Sequence, residues 1–412
     1  MGVDNWRGSS LRLARHSLTL VTMVGALALS AGQAAAAGTT YAPNRTGDHV
    51  PNGCTHRDCT LREAVIAANA HPGRDTILLA RKAYDLSIPR TGEDDPNTGD
   101  LDVTDPVVIK HEGKGRAVID ADRIDRVLHV VTSNTDRYSD LVKIVVRGGK
   151  TTLWGGGIMV GNGIIGLTKS VVTDNRAALE GGGIFASAPA GELELVTTTV
   201  KANRAGQDGG GVASHVETKI RASTISGNTV TYNNPFAGGG GIYFYAVDAP
   251  LRLSNDTIAN NRVQGSGGGI LTYGTGRLNN LTVARNVADT DNDGTGLGGG
   301  IAGGMLKVGN SIMALNKYGN GSVSDCSGTY ESFGRNLLTN NSVGCSGLPD
   351  PPNIVTGDPR IGTLANNGGP TQTIALRRHS PAINHAVKAS AETRDQRGSN
   401  RGKKPDIGAF ER

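Results

Sequence analysis

The chain has 412 residues, of which sixty are glycine and only five Phe, two Trp and nine Tyr. Such a composition argues against a compact core built around aromatics, and without a Gly-X-Y period the glycines do not make collagen. The formal net charge of +5 comes with no block of like charges, so nothing points to a nucleic-acid partner.

Arg7, Arg12 and Arg15 precede an apolar run from Leu18 to Leu29, and the small residues Ala34 to Ala37 follow as a cleavage site. Residues 1–37 therefore read as an export signal, and the chain is expected to be secreted, extracellular or cell-surface associated. The run is shorter than the roughly 20 apolar residues of a spanning helix, so no transmembrane anchor is expected after cleavage. Removing it takes away three Arg and one Asp, which lowers the net charge from +5 to +3. Residues 38–53 are expected to be a flexible start to the exported chain. The four cysteines allow three pairings, of which spacing favours Cys54 with Cys59 and Cys326 with Cys345, one staple at each end.

Residues 54–131 read as an N-terminal cap and the first coils. Thr60-Leu-Arg-Glu63 is a capping box that opens an amphipathic helix through Ala68, suited to cover an open end. Asp75–Leu79, Val107–Lys110, Ala117–Asp120 and Val127–Val131 then read as short strands.

Residues 132–317 carry a repeat. Asn175, Asn203, Asn228, Asn261, Asn286 and Asn316 each follow, by three positions, an apolar residue: Val172, Val200, Ile225, Ile258, Val283 and Met313. A glycine run ending in Ile or Val follows each of the first five, with an earlier copy at Gly155 to Ile158. Glu192-Leu-Glu-Leu195 alternates with period two, which is strand and not helix. The fold class these features predict is all-β: a single-domain right-handed parallel β-helix in which each thin coil buries its apolar side only by stacking. The Asn residues are expected to form a structural ladder at a turn, bonding through their amides and tolerating left-handed dihedrals. The period fades after residue 317, and 318–412 are expected to form the last coils and the opposite cap.

With these residues in view, the chain resembles bacterial secreted and surface β-helix proteins that open with a Cys-Ser-Leu-Arg-Glu-Ala motif and close with a choice-of-anchor Q region. The opening here is Cys59-Thr60-Leu61-Arg62-Glu63-Ala64, and the closing motifs include Asn367-Gly368-Gly369, Asp395-Gln396-Arg397-Gly398 and Asp406-Ile407-Gly408-Ala409-Phe410. The repeats are also similar to those of polymorphic outer-membrane proteins, although no membrane barrel follows. The resemblance implies a pectin-lyase-like fold and no settled activity.

Chemistry needs positions that the repeat does not share. Glu180 and Asp208 keep the spacing of Asn175 and Asn203, as do Arg176 and Arg204, so each pair should stack on neighbouring coils as weak catalytic candidates. Two lengthened turns, Thr229–Ala237 and Val287–Leu297, are expected to border a groove. The first offers Tyr232 and Phe236 to stack on sugars. The second holds Asp289, Asp291 and Asp293 ahead of Gly294, the first half of a calcium loop; Gly300 stands where an EF-hand has Glu. Ca2+ is the one cofactor suggested, with no organic cofactor. The leading functional expectation is non-catalytic binding of an extracellular polysaccharide or cell-surface component. The alternative is a polysaccharide lyase or glycoside hydrolase acting on an acidic polymer.

Overall fold

The computed structural model describes residues 38–412 apart from 91–94, 133–137, 189–190, 233–236, 247, 340–343 and 349–351; the expected export signal lies outside the described residues. The chain winds into an all-β parallel β-helix. Its longest sheet has 18 strands, and most coils contribute two of them, as with Ile158–Asn162 and Ile164–Thr168. A second sheet has eleven strands, and a narrow third runs through Lys150–Thr151, Arg176–Ala177, Arg204–Ala205 and Thr229–Val230. Strand alternation sends every second side chain inward, where it lies over its counterpart one coil away. Val172, Val200, Ile225, Ile258, Val283 and Met313 form one such column, each fully buried.

The Asn ladder is continuous. Asn203 Oδ1 accepts from both the backbone N–H and Nδ2 of Asn175, at 3.1 and 3.0 Å, and Asn228 Oδ1 accepts the same pair from Asn203. The pattern repeats to Asn316, which donates to Asp325 Oδ1, so a carboxylate ends the series. The left-handed residue of this turn is not the Asn itself but the one before it. Asp174, Ala202, Gly227, Asn260, Arg285 and Leu315 have φ between 54° and 63°. Only one of these is glycine, so most coils hold a conformation that costs an L-residue roughly 1–2 kcal/mol; the two charge-neutral hydrogen bonds per Asn offset it.

Glycine is required at the next corner for a different reason. The first of the three glycines that precede each Ile or Val, Gly155, Gly181, Gly209, Gly239, Gly267 and Gly298, has φ between 60° and 67°. At the second, the adjoining coil leaves no room: a Cβ on Gly182 would lie 2.4 Å from Gly210 O.

Both ends depart from expectation. At the N-terminus the capping box forms as read, Thr60 Oγ1 accepting from Glu63 N and Glu63 Oε2 accepting from Thr60 N, and the helix covers Leu61–Ala70. The stretch expected to be flexible is held instead: Thr40–Tyr41 pairs in parallel with Thr76–Ile77 and Asn44 N donates to Cys59 O. At the C-terminus the chain makes further coil strands, Cys326–Ser332, Leu337–Thr339 and Ile354–Thr356, and then does more than close the end. After an antiparallel pair, Ile361–Ala365 with Thr373–Leu376, it runs back along the outer side of the second sheet. Gln396 Nε2 donates to Ser223 O and Thr224 Oγ1, and Gly408 N donates to Asn310 O. The physical reason is a second apolar patch: Ala259, Ala284, Ile312 and Ala314 face outward there and are buried by Ile374, Ile407 and Phe410. Both disulfides pair as expected, Cys54 with Cys59 and Cys326 with Cys345.

Replacing Asn228 by Ala strands two buried donors of Asn203, and should cost about 2–4 kcal/mol of stability. Urea denaturation checks this against Lys201→Ala on the exposed side, expected within about 0.5 kcal/mol of the parent. Equal effects of the two would mean that the ladder does not hold the coils.

Candidate functional site

The glycine corner turns the chain so tightly that side chains just before it meet those just after it. Before the corner, Leu153, Leu179 and Gln207 are joined in succession by backbone hydrogen bonds, which places Trp154, Glu180 and Asp208 in one column. After the corner, Met159, Phe185, Ala213, Tyr243 and Leu271 share one outward row by strand register. His215, Tyr245 and Tyr273 follow two residues further along the chain.

The two sides make a strip of rings. Trp154 stacks on Phe185 with centroids 5.9 Å apart, and Phe185 meets His215 edge-on at 5.4 Å. His215 lies 6.0 Å from Tyr243 and 5.9 Å from Tyr245, and Tyr273 closes the series at 6.2 and 6.0 Å from those two. Tyr245 and Tyr273 are about half exposed, so the strip has faces open to solvent. Beside it, a cavity of about 620 Å³ is lined by His215, Tyr245, Glu192, Glu217 and Asp248.

Carboxylates cross the corner into this strip. His215 Nε2 lies 2.9 Å from Glu180 Oε2. Asp208 Oδ1 accepts from Gly238 N at 2.7 Å. Burial pushes the Asp208 carboxyl up to about 7; the neighbouring Glu180 charge pushes the same way, while the Gly238 bond and His215 oppose it. Burial, and then Asp208, also hold the Tyr243 and Tyr273 phenols above their ordinary range, so both keep their protons to donate. Glu180 and Asp208 stand one coil apart, roughly 4.8 Å along the axis. The stacking expected from their spacing is therefore present, and the corner adds a histidine that the spacing did not reveal.

The other candidates are placed differently. Arg176 and Arg204 stack in register but are exposed, and neither makes an ion pair among the described residues. They do not neutralise the carboxylates; His215 is Glu180's partner. Tyr232 is about half exposed and takes no part in the ring strip, and Phe236 lies outside the described residues. Asp289, Asp291 and Asp293 do converge, with ligand oxygens within 4.8 Å of one another. Their loop also uses them, since Gly294 N donates to Asp289 Oδ1 and Thr295 donates to Asp293 Oδ1 through both N and Oγ1. Burial followed by crowding from Asp293 and Asp291 raises the Asp289 carboxyl. A separate cavity of about 620 Å³ flanks a row of cations, Arg252, Arg277 and Lys307, but Lys307 pairs with Glu331, Arg252 with Glu217, and Arg277 lies over Phe333.

Sequence reading missed Trp154, Phe185, His215, Tyr243, Tyr245 and Tyr273. For all but Trp154, which precedes its glycine run, the available signal was the period of two: after each run and its inward Ile or Val, the first and third residues must point outward.

Together the coils, corner and ring strip define a parallel β-helix with an aromatic outer groove. Among solved structures the chain is similar to pectate lyase Pel9A, with a TM-score of 0.58 and 18% identity, over 92% of this chain and 97% of that one. That likeness shows the fold. No protein-family model and no curated protein matches the chain.

The Asp208 shift has a defined sign. Folded, the carboxyl keeps its proton to about pH 7, whereas an ordinary carboxyl loses it near 3.8. Ionisation is thus costlier in the folded state, and stability should fall relative to Asp208→Asn as pH rises from about 4 to about 7, then run parallel above that, a change on the order of 1–3 kcal/mol. Urea midpoints of both proteins from pH 4 to 8 check this; a constant difference would mean that Asp208 ionises as if in water.

Proposed function

We propose that the protein is an extracellular polysaccharide-binding β-helix, and that the ring strip from Trp154 to Tyr273 is its contact surface. One observation carries this reading: a chain with few aromatics gathers five of them, with His215, along a single groove. Aromatic faces stack on the C–H faces of sugars, and phenol and imidazole edges bond their hydroxyls. From Trp154 to Tyr273 the rings span four coil steps, roughly 19 Å at about 4.8 Å each, the length of about four sugar units. None of the residues in the strip is Lys or Arg, and two are carboxylic acids, so a neutral glycan suits it better than a polyuronate. The two disulfides suit an extracellular setting, as does the resemblance of the opening and closing motifs to those of secreted and surface β-helix proteins.

Tyr243→Ala and Tyr273→Ala should each weaken binding to a soluble neutral glycan three- to tenfold, as expected for loss of one stacked ring. Affinity electrophoresis in soluble neutral and acidic glycans measures it. Preferential retardation by a polyuronate, unchanged in both variants, would contradict the proposal.

One observation favours a second reading, hydrolysis. Asp208 is poised to hold a proton near neutrality with Glu180 one coil away, and a retaining glycosidase uses a pair of carboxyls roughly 5–5.5 Å apart. In that reaction Asp208 would protonate the glycosidic oxygen as its bond to the anomeric carbon breaks, and Glu180 would attack that carbon before water releases it. New reducing ends from a glycan panel, abolished by Glu180→Gln and by Asp208→Asn, would establish this; their absence leaves binding alone. Release of unsaturated products would instead establish the lyase alternative.

We also propose Ca2+ for the Asp289 loop, where three converging carboxylates leave charge for a cation to neutralise. Millimolar Ca2+ should then raise the Tm of chelator-treated protein, and Asp291→Asn should abolish the rise. A Tm indifferent to Ca2+ would remove calcium from the account.

A further inference from the structure

Three coils before Phe185, the same outward row begins with Asp102 and His129, which face each other by register and continue through Met159. Unlike Tyr245 and Tyr273, these side chains are covered. Asp100, Asp102 and His129 are 5%, 4% and 5% exposed, and each turns one ligand atom into a common point, all three within 4.8 Å of one another. Both Asp102 oxygens are buried and accept no hydrogen bond among the described residues; His129 Nδ1 lies 3.4 Å from Oδ1 in an ion-pair contact. A buried carboxylate with neither oxygen hydrogen-bonded is costly unless a cation meets it. Of the nearby guanidiniums, Arg126 faces one oxygen of Asp100, Oδ2, at 3.3 Å, and Arg90 faces Asp125 at 3.7 Å.

We propose that Asp100, Asp102 and His129 form a binding site for a first-row divalent transition metal, zinc foremost. Imidazole nitrogen among the donors selects against Ca2+ and Mg2+, which take oxygen, and two carboxylates with one histidine suit Zn2+ or Mn2+. Tetrahedral bonds of about 2.0–2.1 Å put donor atoms about 3.3 Å apart. The Asp102–His129 contact already has that spacing at 3.4 Å, and the remaining donors, within 4.8 Å, need to close by at most about 1.5 Å. A cavity of about 280 Å³ lined by Asp102, Asn69, Thr104 and Val131 adjoins the Asp102 end of the cluster. The metal would tie Leu101–Val103 to Leu128–Val131 in the next coil, beneath the cap helix whose Asn69 Nδ2 donates to Asp102 O at 2.7 Å. It is thus a staple for the first coils.

Chelator-stripped protein is dialysed against Zn2+, analysed for bound metal and titrated calorimetrically. One equivalent should remain on the parent and on Asp289→Asn, which leaves the distant calcium-like loop out of account. Asp102→Asn and His129→Gln, checked for folding by circular dichroism, should each bind at least tenfold more weakly. No retained zinc or manganese in the parent, or retention equal in both site variants, overturns the proposal and leaves His129 simply in contact with Asp102. If either variant fails to fold, Co2+ in the parent decides: the strong visible absorption of a four-coordinate site supports it, and the weak spectrum of hydrated Co2+ overturns it.

Discussion

Everything in this molecule depends on each coil returning to the same place, one strand spacing further along. Two devices enforce the return: an amide ladder that bonds every Asn to the Asn above it, and a glycine corner that no side chain could enter. The ladder satisfies backbone donors that would otherwise be buried unpaired at a turn. The corner lets the narrow sheet pass directly into the long one. Without either, successive coils would drift, and the apolar columns would no longer lie over one another.

The same constraint makes a site possible on a scaffold of near-identical units. Stacking converts a spacing in sequence into contact in space, so one acidic residue in each of two coils becomes a carboxylate pair. The corner then folds that column onto the outward residues of the long sheet. Glu180 can reach His215, 35 residues away, only because the intervening glycines occupy so little room. Scaffold and groove are therefore one feature seen from two sides, and the residues that make the groove are those that vary where the glycines do not.

The sequence carried the periodic part of this openly. The Asn and glycine positions, the apolar column, the stacking of Glu180 on Asp208, the capping box and both disulfides follow from spacing, because in a solenoid spacing is geometry. What it hid was whatever crosses between columns. Phe185, His215, Tyr243 and Tyr273 sit at two different offsets from the glycines and differ in kind from coil to coil, so no single alignment column collects them. The left-handed residue at the Asn turn was placed one position late, since amide chemistry suggested Asn and the ladder needs the twist just before it. The returning C-terminal chain was hidden for a similar reason: its partners, Thr224, Ala259 and Asn310, read as ordinary strand and turn residues until their outward faces are seen to be apolar or unpaired without it.

The central claim, that the ring strip is the glycan-contact surface, has a built-in reporter. The chain has two tryptophans, and protein lacking residues 1–37 retains only Trp154, at one end of the strip. The most direct test is its fluorescence during titration with a neutral oligosaccharide of about four units. The account predicts a saturable change in emission that Tyr243→Ala weakens. Emission that stays constant while the protein is demonstrably bound to the same glycan would place the contact elsewhere and contradict it.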